Sequence, residues 1–218
     1  MSTGLSEFIS SLSPQTLDLI ADTLAKDGHI TLHNSLPANL IGDLENRAHQ
    51  LSHDYKPAGI GREQQHQINN VVRSDQIQWM DHQHPIETLY LKEMEALRIA
   101  LNQRLFMGLF DYEAHFAHYP TGAFYKRHVD AFKGETNRVL TTVLYLNNNW
   151  LSTDGGELYI YDADLNHIKT VLPESGTLVI FLSDEFPHEV KTALRDRYSI
   201  AGWFRVNNST PNRVDPPL

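Results

Sequence analysis

YPTGAFYKRHVD, residues 119–130, ends in an imidazole and a carboxylate two positions apart, His128 and Asp130, within a stretch that reads as a β-strand. Side chains at i and i+2 of a strand leave the same face, so this spacing lets both groups grip one metal ion. A third ligand is needed, and the run FPHEV supplies it as His188. The 58 residues from Asp130 to His188 are enough chain for several strands to bring it back beside the pair.

Outward from this stretch the chain breaks into short β-type runs. HFAHY, FYKRHVDAF, RVLTTVLYLN, GGELYIYD, HIKTVLP, GTLVIFLS, HEVKTAL and YSIAGWFRV are separated by turns, most clearly NNN at 147–149 and Asp154-Gly155-Gly156. Eight short antiparallel strands predict a jelly roll of two four-stranded sheets. Upstream of about Gly108 the period becomes helical. Ser13-Pro14 reads as an N-cap with proline at the first helical position, followed by Leu17, Ile20, Ala21 and Leu24 until Asp27-Gly28 stops the run. HITLHN, 29–34, alternates as a short strand. Leu36-Pro37 opens a second helix with the stripe Leu40, Leu44, Ala48 and Leu51, and Ile86, Tyr90, Met94, Leu97, Leu101 and Leu105 mark a third. Between them PAGIGREQQHQINN, residues 57–70, has no periodicity and reads as a long mobile loop. The expected fold is mainly β with flanking helices (α+β), a single domain over 1–218. Residues 1–109 form a helical and loop segment that buttresses the core, 110–206 a double-stranded β-helix, and 207–218 a flexible tail.

Composition bounds the partners. A chain of 218 residues with 41% hydrophobic and 21% charged residues is neither disordered nor membrane-embedded. No apolar run approaches the roughly 20 residues needed to cross a bilayer. MSTGLSEFISSLSPQ lacks the basic and apolar regions of a secretory signal, and the absence of Cys rules out disulfides, so a cytoplasmic protein without a membrane partner is expected. The net charge of −9 argues against a duplex nucleic-acid surface.

With 12 His in the chain, no single one identifies a site. The HxD spacing gains weight from His188 and from Arg197, nine residues after it at the start of the last strand. In a jelly roll these two strands lie close, so Arg197 can point into the barrel, where a buried guanidinium needs an anion and fits a carboxylate bidentately. Two His and one carboxylate with other positions open form the ligand set of non-haem Fe(II) oxygenases. HQH, 82–84, has ligand types at the same spacing but precedes Pro85 at a helix entry. His115 and His118 are three apart in a strand and face opposite sides. Arg73 and Lys126-Arg127 read as solvated charge.

The ordered set HVD (128–130), GGEL (155–158), PHEV (187–190), RYSIAGWF (197–204) and RSDQIQW (73–79) resembles the Fe(II)/2-oxoglutarate-dependent oxygenases of the prolyl 4-hydroxylase type. The likeness is greatest to the oxygen-sensing prolyl hydroxylases and their bacterial relatives. It implies Fe(II) ligation by His128, Asp130 and His188, with Arg197 and Tyr145 sharing the distal carboxylate of 2-oxoglutarate. Tyr119 and Tyr125 match further cosubstrate-pocket positions, and Trp203 an indole near metal and substrate. It also implies O₂ as oxidant, ascorbate as reductant, and a protein substrate bearing a target proline. A free amino acid or other small molecule is the alternative substrate, and a non-catalytic jelly-roll binding module the alternative class. An ion pair between Asp75 and Arg138, and a substrate-recognition loop over 57–72, follow from the same resemblance. Ala201 departs from it, standing where relatives often carry a hydroxyl.

Overall fold

A computed structural model describes residues 10–59, 72–131 and 137–208. Three helices come first in importance for packing: α1 (Pro14–Asp27), α2 (Ala38–Gln50) and α3 (Pro85–Leu105). The Ser13 hydroxyl accepts the Thr16 N–H at 3.1 Å to start α1, and Gly28, at φ 72°, ends it as the sequence predicts. The entry to α3 is capped by His84, whose ring nitrogen accepts the Ile86 N–H at 3.3 Å. That use of HQH is structural.

Eleven strands are formed by the described residues: β1 (His29–His33), β2 (Lys56–Pro57), β3 (Gln76–Trp79), β4 (Leu109–Tyr119), β5 (Tyr125–His128), β6 (Arg138–Tyr145), β7 (Leu158–Tyr161), β8 (His167–Val171), β9 (Thr177–Leu182), β10 (His188–Val190) and β11 (Arg197–Val206). They make a major sheet in the order β1-β9-β6-β11-β4-β3-β2 and a minor sheet in the order β5-β10-β7-β8. The eight strands of the expected jelly roll divide four and four, but β1, β3 and β2 pair onto its edges, so one sheet has seven strands rather than four. The edges that β9 and β4 would otherwise present are thereby covered by segments from the N-terminal half. β4 also begins at Leu109, six residues before HFAHY, because Asp111 and Glu113 are paired inside the sheet rather than solvated.

The period of two along the major sheet separates two environments. One face places Phe116, Leu140, Leu144, Leu178, Ile180, Ile200 and Phe204 against Leu40, Leu44, Tyr90, Met94, Leu97 and Leu101 of the helices. The other face turns Ala117, Tyr119, Val143, Tyr145, Val179 and Phe181 toward Leu158, Ile160, Val171 and Val190 of the minor sheet. The helices therefore buttress the sheet from behind and leave the barrel interior to the site. At Gly202 the phenol of Tyr112 lies across the strand, and any Cβ there would overlap its hydroxyl. That hydroxyl bonds Thr142 at 2.8 Å and Tyr90 at 3.1 Å, tying α3 to the sheet.

Among the described residues no helix is long and apolar enough to cross a membrane. Of the expected recognition loop, residues 60–71 lie outside the described residues, as do 209–218 of the tail.

Candidate active site

The strand carrying HVD ends at His128, and Asp130 falls in a bend beyond it, so the pleat alone does not align the pair. Tertiary bonds do. Asp130 Oδ2 accepts from the Thr141 hydroxyl of β6 at 2.8 Å and from the Trp203 indole N–H of β11 at 3.0 Å. His188 sits directly opposite His128 across β10 and β5, with ring centroids 4.3 Å apart. Their Nε2 atoms lie 3.5 Å (His128) and 3.6 Å (His188) from the Asp130 oxygens. One ligand atom from each of the three residues lies within 4.8 Å of the others, and among the described residues no other group does this.

Both imidazoles are set in the tautomer that leaves Nε2 free to bind a metal. His128 Nδ1 lies 2.8 Å from the Lys126 carbonyl and His188 Nδ1 lies 3.0 Å from that of Phe186. A carbonyl only accepts, so each Nδ1 carries the proton and each Nε2 presents a lone pair toward Asp130. Burial, with His128 alongside, lowers the His188 pKa to about 4, keeping it neutral. Burial alone would raise Asp130, but the positive charge that His188 and His128 carry when protonated, together with the Trp203 N–H, holds its carboxyl well below the usual carboxylate range. An ionised carboxylate with two imidazole Nε2 atoms converging on it is a donor set that fits a divalent first-row metal.

Arg197 is buried at 1% exposure. Its Nε donates to the Gly156 carbonyl at 2.9 Å and Nη1 lies 3.4 Å from the Ser199 hydroxyl, while its guanidinium lies over the rings of Tyr119 (4.7 Å) and Tyr145 (5.0 Å). Among the described residues no carboxylate pairs with it. Asp196 instead accepts the Thr121 N–H, and Glu189 binds Tyr161 and Lys191. The Tyr145 hydroxyl is buried without a partner, and burial pushes its pKa up to about 12, so it stays a neutral donor. A buried cation lacking an anion beside an orphaned hydroxyl fits a bound carboxylate, as a dicarboxylic cosubstrate would offer. Gly156 makes the cradle possible: at φ 70° it turns its carbonyl to Arg197, and a Cβ would crowd Arg197 Cδ and the Trp150 ring, each 3.1 Å away.

Tyr125 stacks on His128 with centroids 3.5 Å apart and planes 15° from parallel. Trp203 packs against His115 at 5.4 Å and Trp79 at 6.3 Å. His118 points to the other face of β4 and stacks on Tyr198, as the strand period requires.

Two expectations are corrected. Arg73 is not solvated charge: its side chain is 12% exposed, forms a bidentate pair with Asp75 (2.8 and 2.6 Å) and lies over the Tyr125 ring at 4.3 Å. With both Asp75 oxygens so used, the expected Asp75–Arg138 pair is not formed. Arg138 binds Glu113 instead, at 2.6–2.7 Å. Sequence reasoning also passed over Thr141, whose signal was the inward register Thr141, Val143, Tyr145, and it missed that Arg73 and Asp75, at i and i+2, pair with each other.

A double-stranded β-helix holding a His–Asp–His cluster beside a buried guanidinium that no described carboxylate pairs is an arrangement that could hold a divalent metal and a carboxylate-bearing ligand. The chain belongs to the 2OG-Fe(II) oxygenase superfamily, whose family model matches residues 114–205. It is 42% identical to a prolyl-4-hydroxylase of Pseudomonas putida, with a TM-score of 0.79 over 88% of this chain and 100% of that one. A Trichoplax adhaerens prolyl hydroxylase, solved with a hypoxia inducible factor peptide fragment, is 27% identical at a TM-score of 0.78, over 88% of this chain and 89% of that one. Human Egl nine homolog 1 is 34% identical over 143 residues, 61% of this chain and 33% of that protein. The chain thus spans about a third of the length of that curated relative.

Proposed function

We propose that the protein is an Fe(II)- and 2-oxoglutarate-dependent dioxygenase that hydroxylates a prolyl residue of a polypeptide. The observation that carries the oxygenase reading is the His128–Asp130–His188 cluster lying in the same barrel as the unpaired Arg197–Tyr145 cradle. The 42% identity with the P. putida prolyl-4-hydroxylase over its whole length supports peptidyl proline as the acceptor.

His128, Asp130 and His188 would hold the metal through two Nε2 atoms and one carboxylate oxygen, with Thr141 and Trp203 fixing the carboxylate. Bound Fe(II) supplies O₂ activation, which couples the decarboxylation of 2-oxoglutarate to succinate and CO₂ with insertion of oxygen into a C–H bond. Arg197 and Tyr145 would anchor the distal carboxylate of the cosubstrate by charge-assisted bonds in a pocket closed to water. Tyr119 walls that pocket beneath the guanidinium, and Tyr125, stacked on His128, fixes the imidazole plane. No side chain needs to act as a general base.

The test is to incubate the protein with Fe(II), 2-oxoglutarate, O₂, ascorbate and a cognate lysate. The expected result is succinate release together with a one-oxygen mass gain on proline, both lost in His188→Ala. Succinate release without modified proline would overturn the peptidyl-prolyl assignment. Full turnover by His188→Ala would overturn the metal assignment.

A further inference from the structure

The barrel face of the major sheet is arranged in cross-strand rows. In the register of β4, β11 and β6, Glu113 lies opposite Trp203, which lies opposite Thr141; in the next row Asp111 lies opposite Arg205, which lies opposite Arg138. The first row holds both donors to Asp130, and the second is entirely charged. Two guanidiniums directly opposite each other on one face repel unless carboxylates stand between them. Here Asp111 takes Arg205 Nε at 2.8 Å and also its Nη2, while Glu113 spans the pair, receiving Arg138 Nε at 2.7 Å and lying 3.5 Å from Arg205 Nη1. Asp111, Glu113 and Arg205 are all under 9% exposed.

A buried ionic cluster of this kind contributes little net stability, because desolvation offsets the attraction and apolar side chains of similar volume could fill the same space. Its geometric product is specific. Held by Glu113, the Arg138 guanidinium lies 3.6 Å from the centroid of the Trp203 ring. A cation over an indole is attracted by the ring and draws electron density from it, which both fixes the ring plane and makes its N–H a stronger donor. That N–H is the one bonded to Asp130 Oδ2 at 3.0 Å.

We propose that Glu113 and Arg138 are positioning residues for the metal centre: Glu113 holds Arg138 as a plate on Trp203, and the plate holds the indole N–H on Asp130, so that the carboxylate keeps its orientation toward His128 and His188. The proposal rests on reading those three residues as a metal site. Neither Glu113 nor Arg138 touches the ligating atoms. Their effect passes through the indole, as partners behind a metal ligand orient it and tune its basicity.

The experiment is calorimetric titration of metal-stripped protein with Mn(II), without turnover. Glu113→Gln and Arg138→Met are expected to weaken Mn(II) binding about 10-fold, the lower end of the range for such outer partners. Arg138→Lys keeps the charge but loses the planar plate and is expected to weaken binding as well, which keeps the test available should either of the others fail to fold. In a Trp203→Phe background, which has no indole N–H to position, adding Glu113→Gln is expected to change nothing further. Folded Arg138→Lys and Glu113→Gln proteins with wild-type Mn(II) affinity would overturn the proposal. A full additional loss on adding Glu113→Gln to Trp203→Phe would overturn the route through the indole. If wild-type protein itself bound no Mn(II), the metal reading would fail and the proposal with it; normal wild-type binding with unaffected variants would remove the positioning role alone.

Discussion

Arg197 shows how much one side chain's surroundings decide. A guanidinium at 1% exposure with no carboxylate partner among the described residues, held only by a carbonyl, a hydroxyl and two aromatic rings, is left able to take a carboxylate ligand. Lys in its place keeps the charge but not the planar fork or its stacking between Tyr119 and Tyr145. Arg197→Lys is therefore expected to raise the 2-oxoglutarate concentration needed for half-maximal turnover by about 10-fold, roughly one bidentate hydrogen bond's worth, while Mn(II) affinity stays unchanged. Parallel losses in both would point to a general distortion instead. His115 makes a different kind of prediction. Burial lowers its pKa to about 4, below the 6.5 of an exposed imidazole. Between these values the unfolded chain binds the proton and the folded one does not, so stability rises with pH across this window. Its contribution is fully present above about pH 6.5 and is lost as pH falls toward 4, amounting to about 3 kcal/mol on the order-of-magnitude scale. Urea unfolding of His115→Gln should show a shallower fall in stability from pH 7 to pH 5 than wild type.

At the scale of the element, β11 does the most. Its even-numbered residues Ile200 and Phe204 enter the core behind the sheet, while Arg197, Ser199 and Trp203 face the barrel, so one strand serves packing and site at once. Its tolerance is correspondingly low at Gly202, where the Tyr112 phenol crosses. Gly202→Ala forces the ring away from its bonds to Thr142 and Tyr90, and overpacking of this kind costs about 1–3 kcal/mol. The measurement is the urea midpoint. Because the clash falls on the helix side of the sheet, Mn(II) affinity of the folded fraction should be preserved, and a large loss of it would show that the two faces of the strand are coupled.

For the whole molecule, the candidate metal cluster joins the two sheets. His128 and His188 belong to β5 and β10 of the minor sheet, whereas Asp130 is bonded to Thr141 of β6 and Trp203 of β11 in the major one. An ion held by all three would bind the native fold and not the unfolded chain, so it should stabilise by mass action, by about 2.7 kcal/mol at a free concentration 100 times its dissociation constant. Mn(II) is accordingly expected to raise the melting temperature of wild-type protein and to leave that of Asp130→Ala unmoved. An equal rise in the variant would place the stabilising ion elsewhere.

Local pattern was enough for much of this. Period and punctuation, as in Ser13-Pro14 to Gly28 or the stripe Leu40, Leu44 and Ala48, report which face of an element is buried, because burial repeats with the geometry of helix and strand. Ligand residue types, His128, Asp130 and His188, pointed to the cluster that the fold brings together, although the strand pleat does not itself align the first two. Pairings between distant segments were decided only by the tertiary structure. That β1, β3 and β2 would lengthen one sheet, that Asp75 would take Arg73 and leave Arg138 to Glu113, and that Asp111 and Glu113 would be buried charges in a strand all depend on register between elements. Register is set by how whole faces pack, and a charge looks the same in sequence whether water or a guanidinium will neutralise it. Asp130 sits at that boundary: its candidacy as a ligand was legible two residues from His128, but its orientation comes from Thr141 and Trp203, residues 11 and 73 positions away.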